Sequence, residues 1–488
     1  MQQTLLLPAL VAAPMIGSAM ILALPLRRRG VEAVSLASAA AALLLYAALL
    51  LQRPVGVVET PGPPPLRGLV ALYLDNYGLI LAGMTVIVGF LVVLYSTGYM
   101  DPGNREHPVS SGFRRYYAVL LLFMAGMLGV ALSYTLASLF FFYELTGICS
   151  CLLISFYGGH DSIKGGVEAL ILTHIGGLGL LAAVVLASQE LNHVSFAVPL
   201  PLLSHLGPAI PAVGALFLVA CLAKSAQVPF HIWLPDAMAA PTPVSAYLHA
   251  AAMVKVGVFT FLRFVQYTLP AGAAYGLLGF AALIVALVTM YYGAFMYLAQ
   301  RDVKRLLAYS TIVQLSYILL ALSFSLLGSG AEGVHAAIYH MWNHSFAKAS
   351  LFLAAGCLSY GLGTRSIDAL EGLGRRQGYG VVAAAWIAGA AAISAIPPFN
   401  CFYSKLAILA AGFTGSPATA AAAWLALIES VVCFVVFTRT IYMVYRGEPS
   451  REYSGAPIPA RMKAPLLVLI AAILLSPYIA PWLGVKPW

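Results

Sequence analysis

A chain of 488 residues that is 61% hydrophobic and only 9% charged cannot hide its apolar side chains in a water-soluble core, since soluble domains carry about a quarter charged residues. What remains is a polytopic helical membrane protein, in which lipid covers the apolar surface and each helix satisfies its own backbone. The net charge of +9 does not point to nucleic acid, because the basic residues fall in short connecting loops and form no basic domain.

The first apolar run, 5–25, has no basic leader before it and no clear small-residue cleavage site, so a retained span is expected and not a signal peptide. Further runs of spanning length, about 20 residues each, follow at 31–52, 72–97, 115–133, 135–156, 165–187, 208–228, 243–267, 273–298, 305–324, 333–359, 381–413, 417–445 and 464–484. An all-α chain of about fourteen transmembrane helices is predicted. With the N-terminus external, the odd loops hold Arg27, Arg28, Arg29, Arg105, Arg114, Arg115, Lys164, Arg301, Lys304, Arg305, Arg365, Arg375, Arg376, Arg446, Arg451, Arg461 and Lys463. The other side holds only Arg53, Arg67 and Lys486. The positive-inside rule then predicts a multi-pass protein of the cell (inner, cytoplasmic) membrane with both termini external. The longest loops, 53–71, 98–114 and 446–463, leave no room for a soluble domain, so 1–488 is expected to be a single membrane domain.

The cysteines Cys149, Cys151, Cys221, Cys357, Cys401 and Cys433 lie in apolar runs without CxxC spacing, and read as small buried side chains. Two spans are interrupted by proline: Pro229 follows Lys224 in KSAQVPFHIWLPDA, and Pro397-Pro398 precedes Lys405 in IPPFNCFYSKLA. Proline removes a backbone donor, and at membrane depth such a break is tolerated where it lines a cavity or is packed by protein. Broken helices in both halves of a chain point to an inverted-repeat transporter with its ion path near the breaks, although either proline alone is equally a packing kink.

Lys224, Lys255, Arg263, Lys348, Lys405 and Arg439 sit within spans, with Glu144 and Glu429 as acidic counterparts. Each charge at the bilayer centre costs about 2.5–3.5 kcal/mol on insertion scales. Arg263 and Arg439 lie near span ends and are expected to snorkel to the interface. The central lysines have no such escape. A lysine whose ammonium is disfavoured by burial and restored by a carboxylate is a switchable proton carrier, and Glu144 is the natural partner of Lys224. A static ion pair that only fixes helix packing is the plain alternative.

His340, His344 and Lys348 recur every four residues, which lines them up on one helical face over about 12 Å, with Asn343 beside them. Histidine passes a proton through either ring nitrogen near neutral pH, so this stripe reads as a segment of a hydrated path. His249 and Lys255 extend it, and Ser310, Thr311, Gln314 and Ser316 supply polar groups that serve equally as interhelical glue. GSGAEG at 328–333 fits a GxGxxG pattern but lacks any βαβ context and is counted as chance. Walker A, HExxH and haem-attachment motifs are missing, so no cofactor, metal or catalytic chemistry of the chain's own is expected.

The run PFHIWLPDAMAAPTPVSAYLHAAAMVKVGVFTFLR, at 229–263, closely resembles the signature of the antiporter-like subunits shared by Mrp-type Na+/H+ antiporters, respiratory complex I and membrane-bound hydrogenases. DVKRLLAYSTIVQLSY (302–317), NHSFAKASLFLAAG (343–356) and PPFNCFYSK (397–405) resemble their counterparts in the same order, so the likeness covers roughly 70–445. Cys401 departs from the glycine that many members carry there. The resemblance implies two inverted five-helix repeats with broken helices in spans 7 and 12. It divides the chain into spans 1–3 (1–110), a first repeat (111–270), a second repeat (271–447) and a C-terminal loop and span (448–488).

By motif, the resemblance also implies proton translocation through Glu144, Lys224, Lys255, Lys405, His249, His344 and Lys348, which the stripe extends to His340. The leading expectation is a subunit that translocates protons, or exchanges sodium for them, in a multi-subunit complex driven by a redox module of the quinone oxidoreductase or hydrogenase type. The first alternative is one component of a stand-alone Mrp-type antiporter. An organic solute carrier with Trp233 and Trp342 in its pocket, and a scaffold that has lost transport, are the remaining readings. Expected partners are other membrane subunits and the lipid bilayer, with no nucleic acid.

Overall fold

The computed structural model describes residues 5–60, 68–193, 196–269, 275–449 and 455–484. Arg67, Arg451 and Lys486 of the loop-charge count lie outside them. The first six helices are α1 (Leu6–Ala23), α2 (Arg28–Gln52), α3 (Asn76–Tyr99), α4 (Phe113–Leu132), α5 (Leu136–Ile154) and α6 (His160–Glu190). Span 7 is split into α7 (Ile210–Lys224) and the short α8 (Trp233–Asp236), and span 8 into α9 (Thr242–Ala250) and α10 (Met253–Thr268). Then come α11 (Gly276–Leu298), α12 (Val303–Phe324), α13 (Ala331–Leu362), the split span 12 as α14 (Gly380–Ile393) and α15 (Asn400–Thr414), α16 (Pro417–Tyr445) and α17 (Ala460–Ile479).

Among the described residues, thirteen helical runs are long and apolar enough to cross a membrane, and the split pair α14/α15 makes the fourteenth. Short polar residues start several of them: Asp75, Thr135, Asp302 and Ser416 each accept a backbone N–H of the first turn, satisfying donors that a helix leaves free. The one β element among the described residues is a two-residue antiparallel pair, Val58–Glu59 with Ala71–Leu72, in the loop before α3. The helix α13 runs through the centre, packed against α3, α9, α12, α14, α15 and α17, and from Ala336 to Leu362 every side chain is buried.

Both proline breaks arise as expected, and they share one backbone design. Ala226 and Ala395 adopt left-handed φ values of 50° and 58°, each three residues before Pro229 and Pro398, and cis bonds precede both prolines. Gln227 N–H then bonds to Leu222 O at 2.9 Å and Phe230 N–H to Gln227 O at 2.7 Å; Ile396 N–H bonds to Ala391 O and Phe399 N–H to Ile396 O, both at 3.0 Å, in the same register. A left-handed alanine costs about 1–2 kcal/mol, so the same sacrifice at both points marks corresponding positions of two repeats. Five spans per repeat is an odd number, so the second repeat enters from the opposite face and is inverted.

A third break was not foreseen. Span 8 opens at Ala251–Ala252, where Ala252 takes φ −121° and ψ −116°. No proline or glycine announces it. Just past the break one side chain is inserted into the α10 backbone: Ser225 Oγ donates to Val254 O at 2.8 Å and accepts Val258 N–H at 2.9 Å. All six cysteines are free thiols, and Cys151 alone is not fully buried.

Candidate functional site

Lys224, Lys255, Lys348, Lys405, His249, His340 and His344 are buried in the bundle, whereas Glu144 keeps partial exposure. Lys224 ends α7, fully buried, with its ammonium donating to Tyr143 O and lying 3.7 Å over the Tyr143 ring. Glu144, the next residue of α5, turns the other way: its Oε2 is 2.8 Å from His174 Nδ1 of α6, and its Oε1 is buried without a partner. Among the described residues no ion pair joins Glu144 to Lys224, so the expected contact pair is two neighbouring groups with separate partners. Gly177 makes this possible, because a Cβ there would collide with the Glu144 carboxylate. The Glu144 and His174 side chains retain 20% and 51% of their exposure, and Glu144 borders an apolar recess of about 530 Å³ with Phe140, Phe141, Leu145, Ile148 and Phe196.

Beyond the span 8 break, Lys255 Nζ lies 2.6 Å from His344 Nδ1, within hydrogen-bond distance. The His344 and His340 ring centroids are 5.9 Å apart. His340 continues the line through Nδ1 to Ser404 Oγ at 2.9 Å and through Nε2 to Gln314 Oε1 at 3.0 Å. Lys405, next to Ser404, reaches Ser430 Oγ at 3.3 Å and lies 4.7 Å over the Tyr317 ring. Lys348 branches off to Leu307 O at 3.1 Å and to Ser310 Oγ. His249 packs on Phe352 at 4.7 Å and makes no hydrogen bond through either nitrogen. Of the four polar residues of span 10, Ser310 and Gln314 join the line; Thr311 bonds back to its own helix, and Ser316 holds Gln227 Oε1 at 2.9 Å.

Six of the buried polar atoms without a hydrogen-bond partner among the described residues lie on this route: Glu144 Oε1, both nitrogens of His249, Gln314 Nε2, His344 Nε2 and Asn400 Oδ1. Native interiors pair such groups with protein or water. The Asn pair fixes its far end, with Asn343 Nδ2 donating to Asn400 O at 3.0 Å and Asn400 Nδ2 to Asn343 O at 2.8 Å.

Four assignments change. Lys304, counted in a loop, is 3% exposed in the first turn of α12 and donates to Met238 O and Ala240 O, both at 2.7 Å. It lines a charged cleft of about 580 Å³ on the arginine-rich side with Glu106, His107, Asp236, Asp302 and Arg365. Burial there pushes the His107 imidazole below its ordinary pKa, against the pull of Glu106. Arg263 does not snorkel: it is 1% exposed and bound to Asp75, Gln266 Oε1 (3.0 Å) and Ala131 O (3.0 Å). Burial alone would raise Asp75, but the Arg263 guanidinium, Gln266 and the Gly78 N–H hold its carboxyl below the usual range. Trp233 and Trp342 spend their N–H groups on Ala223 O and Ser476 O, and Trp342 lines a small apolar recess of about 150 Å³ that Trp233 does not border. Glu429, left without a role in sequence, is fully buried between two tyrosines. His174 escaped notice because a lone histidine in an apolar run carries no spacing signal.

Residues 133–432 match the family model described as NADH:quinone oxidoreductase/Mrp antiporter, TM. The chain belongs to this family. Residues 66–117 match a second model, NADH-Ubiquinone oxidoreductase (complex I), chain 5 N-terminus. Among relatives of this antiporter-like family, the A/B subunit of a probable K(+)/H(+) antiporter from Rhizobium meliloti is 37% identical over 414 residues, covering 83% of this chain and 39% of its own length. The A1 subunit of a Na(+)/H(+) antiporter from Staphylococcus aureus is 34% identical over 441 residues, covering 85% of this chain and 52% of its own. The chain thus spans about half the length, or less, of the curated relatives it matches. Among solved structures, a chain of the Mrp complex from Dietzia sp. DQ12-45-1b superposes with TM-score 0.82 at 28% identity, covering 97% of this chain and 50% of that one. A chain of the membrane-bound sulfane sulfur reductase, an archaeal respiratory membrane complex, gives TM-score 0.82 at 25% identity, covering 98% and 96%.

Proposed function

We propose that this chain is a proton-conducting component of a multi-subunit cation/proton antiporter. Protons move along Glu144, Lys224, Lys255, His344, His340 and Lys405, with Lys348 and His249 beside the line and the His174 imidazole at its lateral end. The carrying observation is the contact series Lys255–His344–His340–Ser404 in the buried centre, flanked by buried polar atoms without a hydrogen-bond partner among the described residues. Lysine and histidine each exist with and without the proton, so neighbours in such a series exchange it. The arginine-rich face is cytoplasmic on this reading, and Lys304 stands where its charged cleft meets the buried line.

The half-exposed Glu144–His174 pair supports the presence of partner subunits, since a charged pair on an apolar lateral face is costly against lipid and calls for protein cover. The exchanged cation is Na+ or K+, as the names of the relatives indicate for those proteins. A second reading, drive by a redox module, is favoured by one observation, the nearly full mutual coverage with the sulfane sulfur reductase chain. Liposomes holding the assembled complex decide between them. Proton flux coupled to an imposed Na+ or K+ gradient, without any electron donor, is the expected result; flux that appears only on reduction of a partner overturns the antiporter reading in favour of the second.

A further inference from the structure

Glu429 lies in α16, one residue before the Ser430 that Lys405 contacts. Tyr297 of α11 donates to its Oε1 at 2.6 Å, and Tyr317 Oη of α12 is 2.7 Å from its Oε2. Tyr317 Oη is also 2.6 Å from Ala426 O. A phenol has one hydrogen, so Tyr317 cannot donate to both acceptors at once. With Glu429 charged, Tyr317 donates to the carboxylate and the Ala426 carbonyl goes unserved by it. With Glu429 neutral, the acid donates to Tyr317, Tyr317 turns to Ala426 O, and Tyr297 still donates to the remaining oxygen. Only the neutral arrangement serves all three short contacts.

We propose that Glu429 is a proton-holding residue of the translocation path, exchanging its proton with Lys405 through Ser430 and Tyr317. The inference rests on the proton-path reading above. The groups adjoin one another: Lys405 Nζ is 3.3 Å from Ser430 Oγ and 4.7 Å over the Tyr317 ring, Ser430 follows Glu429 on α16, and Tyr317 meets Glu429. In the step, an N–H bond of Lys405 breaks and its electron pair stays on nitrogen. Ser430 takes that proton and gives its own to Tyr317, and Tyr317 gives its own to Glu429, where an O–H bond forms. Ammonium and carboxylate become amine and acid, so net charge in the buried site is unchanged. Desolvation then opposes the step little, because no lone charge is left behind.

The test uses the full chain in its assembled complex, in vesicles. Glu429→Gln keeps the shape and the hydrogen bonds of the neutral acid but cannot take up a proton. We expect it to melt within a few degrees of the wild type, to cut proton flux roughly a hundredfold, the low end for one positioned proton-transfer group, and to remove a deuterium-sensitive carboxylic-acid stretch from the infrared spectrum. Tyr317→Phe keeps the ring under Lys405 and is expected to shift that stretch. Wild-type flux in Glu429→Gln, or an infrared spectrum unchanged by it, overturns the proposal, as does lowered melting with intact flux in both variants. Lys405→Ala in the same vesicles separates the two levels. If it stops flux while Glu429→Gln does not, only the Glu429 step falls; if neither does, the proton path through span 12 falls with it.

Discussion

Replacing Lys255 by arginine separates a proton carrier from a fixed charge. Lys255 is fully buried, and its contact with His344 Nδ1 at 2.6 Å is the junction between span 8 and the α13 stripe. Arginine retains the positive charge and the capacity to donate to that nitrogen, but its reference pKa of about 12.5–13.8 exceeds that of lysine, about 10.4, by roughly 2–3 units. Every unit is about 1.36 kcal/mol, so release of the proton to His344 becomes harder by about 3–4 kcal/mol, a factor of roughly a hundred to a thousand. The larger head group must also fit a packed interior, at a cost of about 1–3 kcal/mol in stability, so Lys255→Met serves as a neutral control of similar length. Flux is read by a pH-sensitive dye in vesicles of the assembled complex, and assembly by size-exclusion chromatography. Both variants are expected to assemble and neither to conduct. Arginine at wild-type flux would show that position 255 supplies only a static charge, and the series Lys255–His344–His340 would not be a path.

Gly177→Ala is expected to leave melting nearly unchanged, since the atom in its way is the mobile tip of Glu144, but to displace that carboxylate from His174 and lower flux; unaltered flux would detach the Glu144–His174 pair from transport. Lys304→Met leaves the Met238 and Ala240 carbonyls without their donor and should cost about 1–3 kcal/mol for each group that water cannot reach, measured as loss of thermal stability in detergent. Arg263→Leu strands the buried Asp75 carboxylate and should destabilise by about 3–5 kcal/mol, with Asp75→Asn in the same chain recovering part of it. Because Arg263 lowers the folded-state pKa of Asp75, the stability this carboxylate contributes is present above its unfolded value near 4 and is lost only as pH falls through the lower folded value. The Arg263→Leu deficit in melting temperature should therefore hold at pH 7 and shrink in acid.

The span count and the two proline breaks were legible because apolar length and proline are local signals, and the structure places a break within a few residues of Lys224 and of Lys405. The stripe was legible because His340, His344 and Lys348 obey helical spacing. Contacts between elements were harder to read. Glu144 follows Tyr143 in sequence, yet Lys224 takes the carbonyl of Tyr143 while Glu144 turns to His174, and only the three-dimensional packing of α5, α6 and α7 decides between them. The break at Ala251–Ala252 had no sequence signal because small residues allow an unwound turn without requiring one, and the Ser225 hydroxyl that joins the start of α10 comes from another span. Lys304 and Arg263 were placed at the water interface by their distance from span centres. Each instead finds inward acceptors, Met238 and Ala240 for the first and Asp75 for the second, which compensate for the loss of water.

The two broken helices explain why one backbone design yields two unlike lysine sites. In the first repeat Lys224 closes α7 just before the left-handed Ala226, at the carbonyl end of a helix, and its ammonium takes a further carbonyl from Tyr143. In the second repeat Lys405 stands in the second turn of α15, after the left-handed Ala395, near the amide end of a helix, with a serine hydroxyl and an aromatic face as its neighbours. A helix presents partial negative charge at its carbonyl end and partial positive charge at its amide end, so a lysine before the break in one repeat and after it in the other puts the two cations in opposite local fields. Between them lie Lys255, His344 and His340, none of which meets an acidic side chain among the described residues. A line with unlike ends and no fixed counter-charge at its middle favours passage over storage, and a neutralising carboxylate reappears only past Lys405, at Glu429.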